Sequence, residues 1–207
     1  MVMTENPLRL AVIVGSTRAG RFGPTVANWF VRRAEQRADV AVEFIDLAQD
    51  RLPAHMSHEP EPEGAQALHS VGSRLTAADA FVIVTPEYNH SYPAALKNAI
   101  DWHFTQWQAK PVGFVSYGGV SGGLRAVEHL RHVFAELHAV TVRDTVSFHG
   151  AAQLFDETGE LTEPAAAPQA AAPQRDQITG GGTAFGEAPA PRAERAPRAG
   201  PRGGRGV

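Results

Sequence analysis

The chain has no cysteine, which excludes a disulfide framework, a thiolate nucleophile and any Cys-ligated zinc or iron–sulfur centre. No apolar run approaches the roughly 20 residues that a membrane helix needs. The first ten residues, MVMTENPLRL, lack a basic region followed by a long apolar stretch. These absences predict a soluble, cytoplasmic protein with no membrane association. A basic excess is missing as well. Of 19 basic and 22 acidic residues, six Arg and four acids lie in residues 162–207, which leaves the first 161 at −5 and the remainder at +2. An acidic body is a poor surface for nucleic acid, so no nucleic-acid partner is expected.

What is present divides the 207 residues in two. In residues 162–207, 27 of 46 positions are Ala, Pro or Gly, and the large apolar residues are Ile178, Phe185 and Val207. Such a segment cannot bury enough surface to offset its chain entropy. The folding unit is therefore expected over residues 1–161, followed by a low-complexity, disordered Ala/Pro/Gly/Arg tail over 162–207.

Within the folding unit, short runs rich in Val, Ile and Phe predict strands at Leu8–Val14, Val40–Leu47, Ala80–Thr85 and Pro111–Ser116, with a weaker fifth at Val140–Phe148. Helical periodicity predicts helices at Pro24–Arg37, Glu63–Ala78, Pro93–Trp107 and Leu124–His138. Strict alternation of the two, with crossovers long enough for right-handed connections, predicts an α/β fold. The expected form is a flavodoxin-like, doubly wound, five-stranded parallel sheet in the order 2-1-3-4-5 with helices on both faces. Ligands in such a sheet collect beyond the carboxyl ends of strands 1, 3 and 4.

Those three ends carry the candidate site. After strand 1, Gly15-Ser16-Thr17-Arg18-Ala19-Gly20-Arg21 has the character of a phosphate cradle, with Pro24 opening the next helix so that its dipole faces the same spot. It has neither the Gly-Lys-Ser/Thr of a Walker loop nor the Gly-x-Gly-x-x-Gly of dinucleotide folds, so a terminal monophosphate is the better match. After strand 3, Pro86-Glu87-Tyr88-Asn89 combines a rigid turn, an aromatic platform and a planar amide, which suits a flat heterocycle with polar edges. After strand 4, Ser116-Tyr117-Gly118-Gly119 lets backbone approach a ring edge closely.

Bland readings stand beside these. The first loop also reads as a solvated turn, and Asn89 or Ser91 as the cap of the following helix. Gly119-Val120-Ser121-Gly122-Gly123 fits the Gly-x-Ser-x-Gly elbow of hydrolases, with Asp144 and His149 as the available partners, but the chain lacks a His-Gly-Gly-Gly oxyanion loop. Among nine His, the pair His55 and His58 shares a loop, and His129 and His132 stand at i, i+3 on the fourth helix. Without a carboxylate at ligand spacing these read as surface residues, and no metal is expected. Trp29, Trp102 and Trp107 fall at apolar helix positions that suit core packing or a subunit contact.

Three stretches, Gly15–Arg21, Thr85-Pro86-Glu87-Tyr88-Asn89-His90-Ser91-Tyr92-Pro93-Ala94-Ala95-Leu96-Lys97-Asn98-Ala99-Ile100-Asp101-Trp102 and Ser116–Gly123, resemble the NADPH-dependent FMN reductase family, which includes bacterial quinone, chromate and azo-dye reductases. The resemblance runs from about Leu8 to Leu161. It implies FMN and NADPH as cofactors, with hydride passing from NADPH to FMN and onward to a small acceptor such as free flavin or a quinone. It places Ser16, Arg18 and Arg21 at the FMN phosphate, Pro86, Glu87, Tyr88 and Asn89 along the isoalloxazine and ribityl chain, and Ser116, Tyr117, Gly118 and Gly119 over the ring's other edge. It implies a homodimer or homotetramer, and it names no catalytic side chain, because the flavin carries the chemistry. A non-catalytic FMN-binding electron carrier is the alternative function.

The family resemblance also implies a final amphipathic helix where this sequence turns low-complexity. Two accounts are a disordered extension and out-of-frame translation of a GC-rich region. Either predicts apolar side chains left exposed on the sheet face near strands 1 and 5.

Overall fold

The computed structural model describes residues 7–163; the expectations about the tail fall largely on residues outside that range. Five parallel strands, β1 (Leu8–Val14), β2 (Val40–Asp46), β3 (Ala80–Pro86), β4 (Pro111–Gly118) and β5 (Val140–His149), form one sheet in the order β2-β1-β3-β4-β5. The order and the parallel sense are as expected. A register shift lies between β4 and β5 at Val112–Phe114.

Because strand side chains alternate between faces, β1 sends Leu10, Val12 and Val14 into one apolar layer and Ala11 and Ile13 into the other. The helices α3 (Pro62–Ala77), α4 (Ala94–Trp102) and α5 (Leu124–Glu136) cover the second layer, while α1 (Gly23–Ala34) covers the first. A single-turn helix, α2 (Leu47–Asp50), follows β2 directly and is capped by the Asp46 carboxylate, which accepts from the Ala48 N–H at 3.1 Å. Strand β3 is buried along its whole length, as a strand packed on both faces must be.

Two expectations change. The helix predicted over Pro93–Trp107 stops at Trp102: His103 turns extended, and a separate 3-10 turn spans Thr105–Trp107. The break is held by buried polar groups, since the His103 Nδ1 lies 2.8 Å from the Ala99 carbonyl and the Trp107 indole donates to the His103 carbonyl at 2.5 Å. The sheet face near β1 and β5 is also covered where exposure was expected. Leu10, Val12, Val14, Val146 and Phe148 are at most 2% exposed. Residues beyond β5 fold back through a 3-10 turn at Ala151–Gln153 and an antiparallel bridge between Phe155 and Leu161. This seats Phe155 against Phe148 and Trp29, with ring centroids 5.0 and 6.4 Å away. A buried aromatic of this kind removes apolar area worth about 1.5–3 kcal/mol.

Candidate cofactor and substrate site

The carboxyl ends of β1, β3 and β4 meet as expected. The first loop leaves β1 at Gly15, whose N–H donates to the Val84 carbonyl at 2.9 Å. Its polar groups then divide. The Arg21 guanidinium donates to both Asp46 carboxylate oxygens at 2.7 Å and to the Ser16 carbonyl at 3.0 Å. Asp46 is 5% exposed and Arg21 15%, so this is a bidentate pair out of water, the strong geometry for Arg. Ser16 is fully buried, and its Oγ accepts from the Tyr117 hydroxyl at 3.1 Å. Burial pushes that phenol up to about 12, against the smaller opposing effect of the Ser16 contact.

By contrast, the exposed run Thr17–Gly20 keeps its N–H groups open: among the described residues none of the four finds an acceptor. The start of α1 is open too, for its N-cap Phe22 supplies no side-chain acceptor and Pro24 occupies the first turn. Open N–H groups, a positive helix end and the exposed Arg18 make this loop a candidate anion cradle. Gly23 makes the cradle possible, because a Cβ there would stand 2.4 Å from Ser16 Oγ and 2.9 Å from the Tyr117 hydroxyl.

The second loop is a two-residue reversal. Tyr88 and Ser91 exchange N–H···O bonds of 2.8 and 3.1 Å, and Asn89 and His90 between them have φ of +48° and +73°. Positive φ at both central residues is the type I′ geometry, unusual for His and tolerable for Asn. The turn lifts Asn89 into solvent while Pro86 stays buried beneath it. The Arg18 guanidinium stands 5.6 Å from the Tyr88 ring centroid and so spans the first and second loops.

Glu87 turns elsewhere. Its carboxylate, 5% exposed, accepts from the Ser121 hydroxyl at 2.8 Å and pairs with the Arg125 guanidinium. Burial would raise its pKa, but Ser121 and Arg125 together hold it below the ordinary carboxylate range. The Glu87 contact places Ser121 next to a carboxylate instead of an imidazole. His149, the hydrolase partner considered above, has its Nδ1 2.8 Å from the Val120 carbonyl. The nucleophile-elbow reading is therefore corrected: the glycines serve a turn, with Gly122 and Gly123 at φ of +59° and +83°. Both Ser116 and Ser147 donate to the Gly122 carbonyl at 2.8 Å and fix that turn from below.

Of the eleven residues expected at the site, the structure gathers all at one end of the sheet. Arg18, Asn89 and Gly119 are exposed, and Tyr88 and Gly118 half-buried; the side chains of Arg18 and Asn89 make no hydrogen bond among the described residues. The polar atoms of Ser16, Arg21, Glu87, Ser116 and Tyr117 are bound to protein and position the loops. Sequence reasoning missed Asp46, Ser121 and Arg125; Asp46 was legible as an acid at a strand end one residue before a helical turn. Among the described residues no group of three or more His, Asp or Glu is placed so that it could hold a metal ion. His129 is exposed, as expected, with its Nδ1 2.9 Å from the Ser91 hydroxyl. No helix among the described residues is long and apolar enough to cross a membrane.

Against known proteins, residues 8–153 match the model of the family described as NADPH-dependent FMN reductase. An NAD(P)H-dependent FMN reductase of Schizosaccharomyces pombe is 38% identical over 132 residues, covering 60% of this chain and 64% of that protein. The chain thus spans somewhat under two thirds of that relative. A quinone reductase of Escherichia coli K12 is 33% identical over 188 residues, covering 87% of this chain and 94% of the other. The solved structure of a flavoenzyme NAD(P)H:(acceptor) oxidoreductase from Paracoccus denitrificans superposes with a TM-score of 0.63 at 25% identity, over 86% of this chain and 97% of that one.

Proposed function

The chain belongs to the NADPH-dependent FMN reductase family, and from that premise we propose that it is an NAD(P)H-dependent flavin reductase that passes electrons to small acceptors of the quinone class. The observation that carries this reading is the open cradle of Thr17–Gly20 at the uncapped start of α1. Its donor set, backbone N–H groups with one free guanidinium, fits a phosphate dianion and leaves no acidic group to oppose it. FMN, when bound, supplies a two-electron carrier that takes hydride from a nicotinamide and hands electrons to an acceptor.

The chain's own residues do the rest. Thr17–Gly20 and Arg18 hold the phosphate, while Tyr88 and Asn89, lifted by the strained reversal, offer an aromatic face and an amide to the ring's polar edge. Gly118 and Gly119 give backbone access at the opposite edge. Arg21, with Asp46, acts on the loop and not on the phosphate. Ser16 and Tyr117 act as a buried strut between β1 and β4. Glu87, held by Ser121 and Arg125, locks the second loop to the third. No side chain is assigned as an obligatory acid or base. The reading includes a cytoplasmic location and a homodimer or homotetramer.

The test is direct. Protein loaded with FMN and mixed anaerobically with NADPH should lose its yellow colour and regain it on addition of 1,4-benzoquinone. Colour that NADPH and NADH both fail to bleach would replace the reductase by an electron carrier.

A further inference from the structure

A cavity of about 440 Å³ lies beside the first loop, between α2 and the start of α4. Thr17 forms one end, Arg51 and Asn98 supply further polar groups, and Leu47, Ala48 and Ala94 contribute apolar wall. None of residues 86–89 or 116–119 lines it. A ligand seated there would therefore leave the faces assigned to the flavin ring free. It would still sit against the loop assigned to the flavin phosphate, because Thr17 belongs to both.

The wall between this cavity and its neighbour is preorganised. Pro53 accepts from both the Asn98 amide and the Trp102 indole at 2.9 Å, and it packs so closely on Gly64 that a Cβ there would stand 2.6 Å from its ring. Pinned this way, the strap holds Arg51 in a left-handed conformation, φ +43°. The exposed Arg51 guanidinium makes no hydrogen bond or ion pair among the described residues. Arg51 also borders a second hollow of about 520 Å³, where Glu59, Glu61 and Glu63 disfavour an anion. An anion drawn to Arg51 is thereby directed to the Thr17 side. The Asn98 side-chain oxygen also accepts no bond from the described residues and remains available to an amino group.

A partly apolar slot, an amide oxygen and one unpaired guanidinium suit a purine nucleoside carrying a phosphate. We propose that this cavity seats the adenosine end of the nicotinamide dinucleotide, with Arg51 on its 2′-phosphate. The inference rests on the reductase reading and deepens it: Arg51 becomes the residue that favours NADPH over NADH.

With FMN-loaded protein, Arg51→Ala should lower the ratio of kcat/KM for NADPH to that for NADH by about tenfold or more, the scale of one lost charge-assisted contact. Ala94→Phe, an exposed position on the cavity wall, should raise KM for both dinucleotides with kcat kept at saturation. Calorimetry needs no hydride transfer and gives an independent readout. Adenosine 2′,5′-bisphosphate should bind the wild type at least tenfold more tightly than adenosine 5′-monophosphate, and Arg51→Ala should erase that difference. A ratio unchanged within twofold in a variant that retains FMN, or equal binding of the two nucleotides, would overturn the proposal. Arg51-dependent binding of the bisphosphate without flavin bleaching by either dinucleotide would keep the cavity assignment and remove the reductase reading.

Discussion

The first and third loops leave β1 and β4, on either side of β3, and are both glycine-rich, yet they treat their polar groups in opposite ways. Between Thr17 and Gly20 the backbone N–H groups have no acceptor among the described residues. Between Gly118 and Gly123 the groups turn inward. The Gly122 carbonyl takes two serine hydroxyls, the Gly119 carbonyl takes the Gly150 N–H at 2.9 Å, and Ser121 goes to Glu87. Unmet donors at a loop are costly unless water or a ligand meets them. The contrast separates a loop whose exposed N–H groups are open to water or a bound anion from one whose groups fix its own shape, although composition makes them look alike.

The largest expected effect comes from breaking the anchor of the open loop. Asp46→Asn leaves the Arg21 guanidinium out of water without its carboxylate and should cost about 3 kcal/mol, read as a lower urea midpoint together with weaker FMN binding in a fluorescence titration. Next is Gly23→Ala. The added methyl collides with Ser16 Oγ at 2.4 Å, and overpacking of this kind costs about 2 kcal/mol. Far-UV circular dichroism should show a fall in Tm of several degrees for a chain of this size.

Tyr117→Phe should cost less, about 1 kcal/mol for one buried hydrogen bond, and it carries a pH signature. The folded phenol ionises near 12 and the unfolded one near 10. Folding therefore retains that proton more tightly, and wild-type stability should fall as pH rises from 10 to 12. Removing the hydroxyl should flatten that part of the urea-midpoint profile; an unchanged slope would place the proton elsewhere. The smallest effect belongs to the closed loop. Ser121→Ala should lower stability by under about 1 kcal/mol, and neither it nor the wild type should release p-nitrophenol from an acetate ester. Ester turnover that vanishes in the variant would restore the nucleophile reading.

The strands were legible because parallel strands buried on both faces need unbroken Val, Ile and Phe, as in Ala80–Thr85. The three loops were legible because strand order dictates which ends converge. The roles inside those loops were not. Nothing local to Arg21 signals Asp46, which the fold brings to it from 25 residues away, and nothing local to Glu87 signals the Arg125 that α5 delivers. Both depend on tertiary neighbours that no local spacing encodes. Phe155 and Leu161 were passed over for a related reason, since a turn and an isolated bridge have no periodicity to detect.

The Arg21–Asp46 pair reaches further than the loop it steadies. Asp46 is the last residue of β2, and β2 is an edge strand hydrogen-bonded to β1 alone. An edge that frays presents unpaired backbone to other chains. The same guanidinium that braces the first loop thus clips down the sheet's margin. Loss of that clip should also appear as turbidity and poor recovery on concentration, alongside the weaker FMN binding.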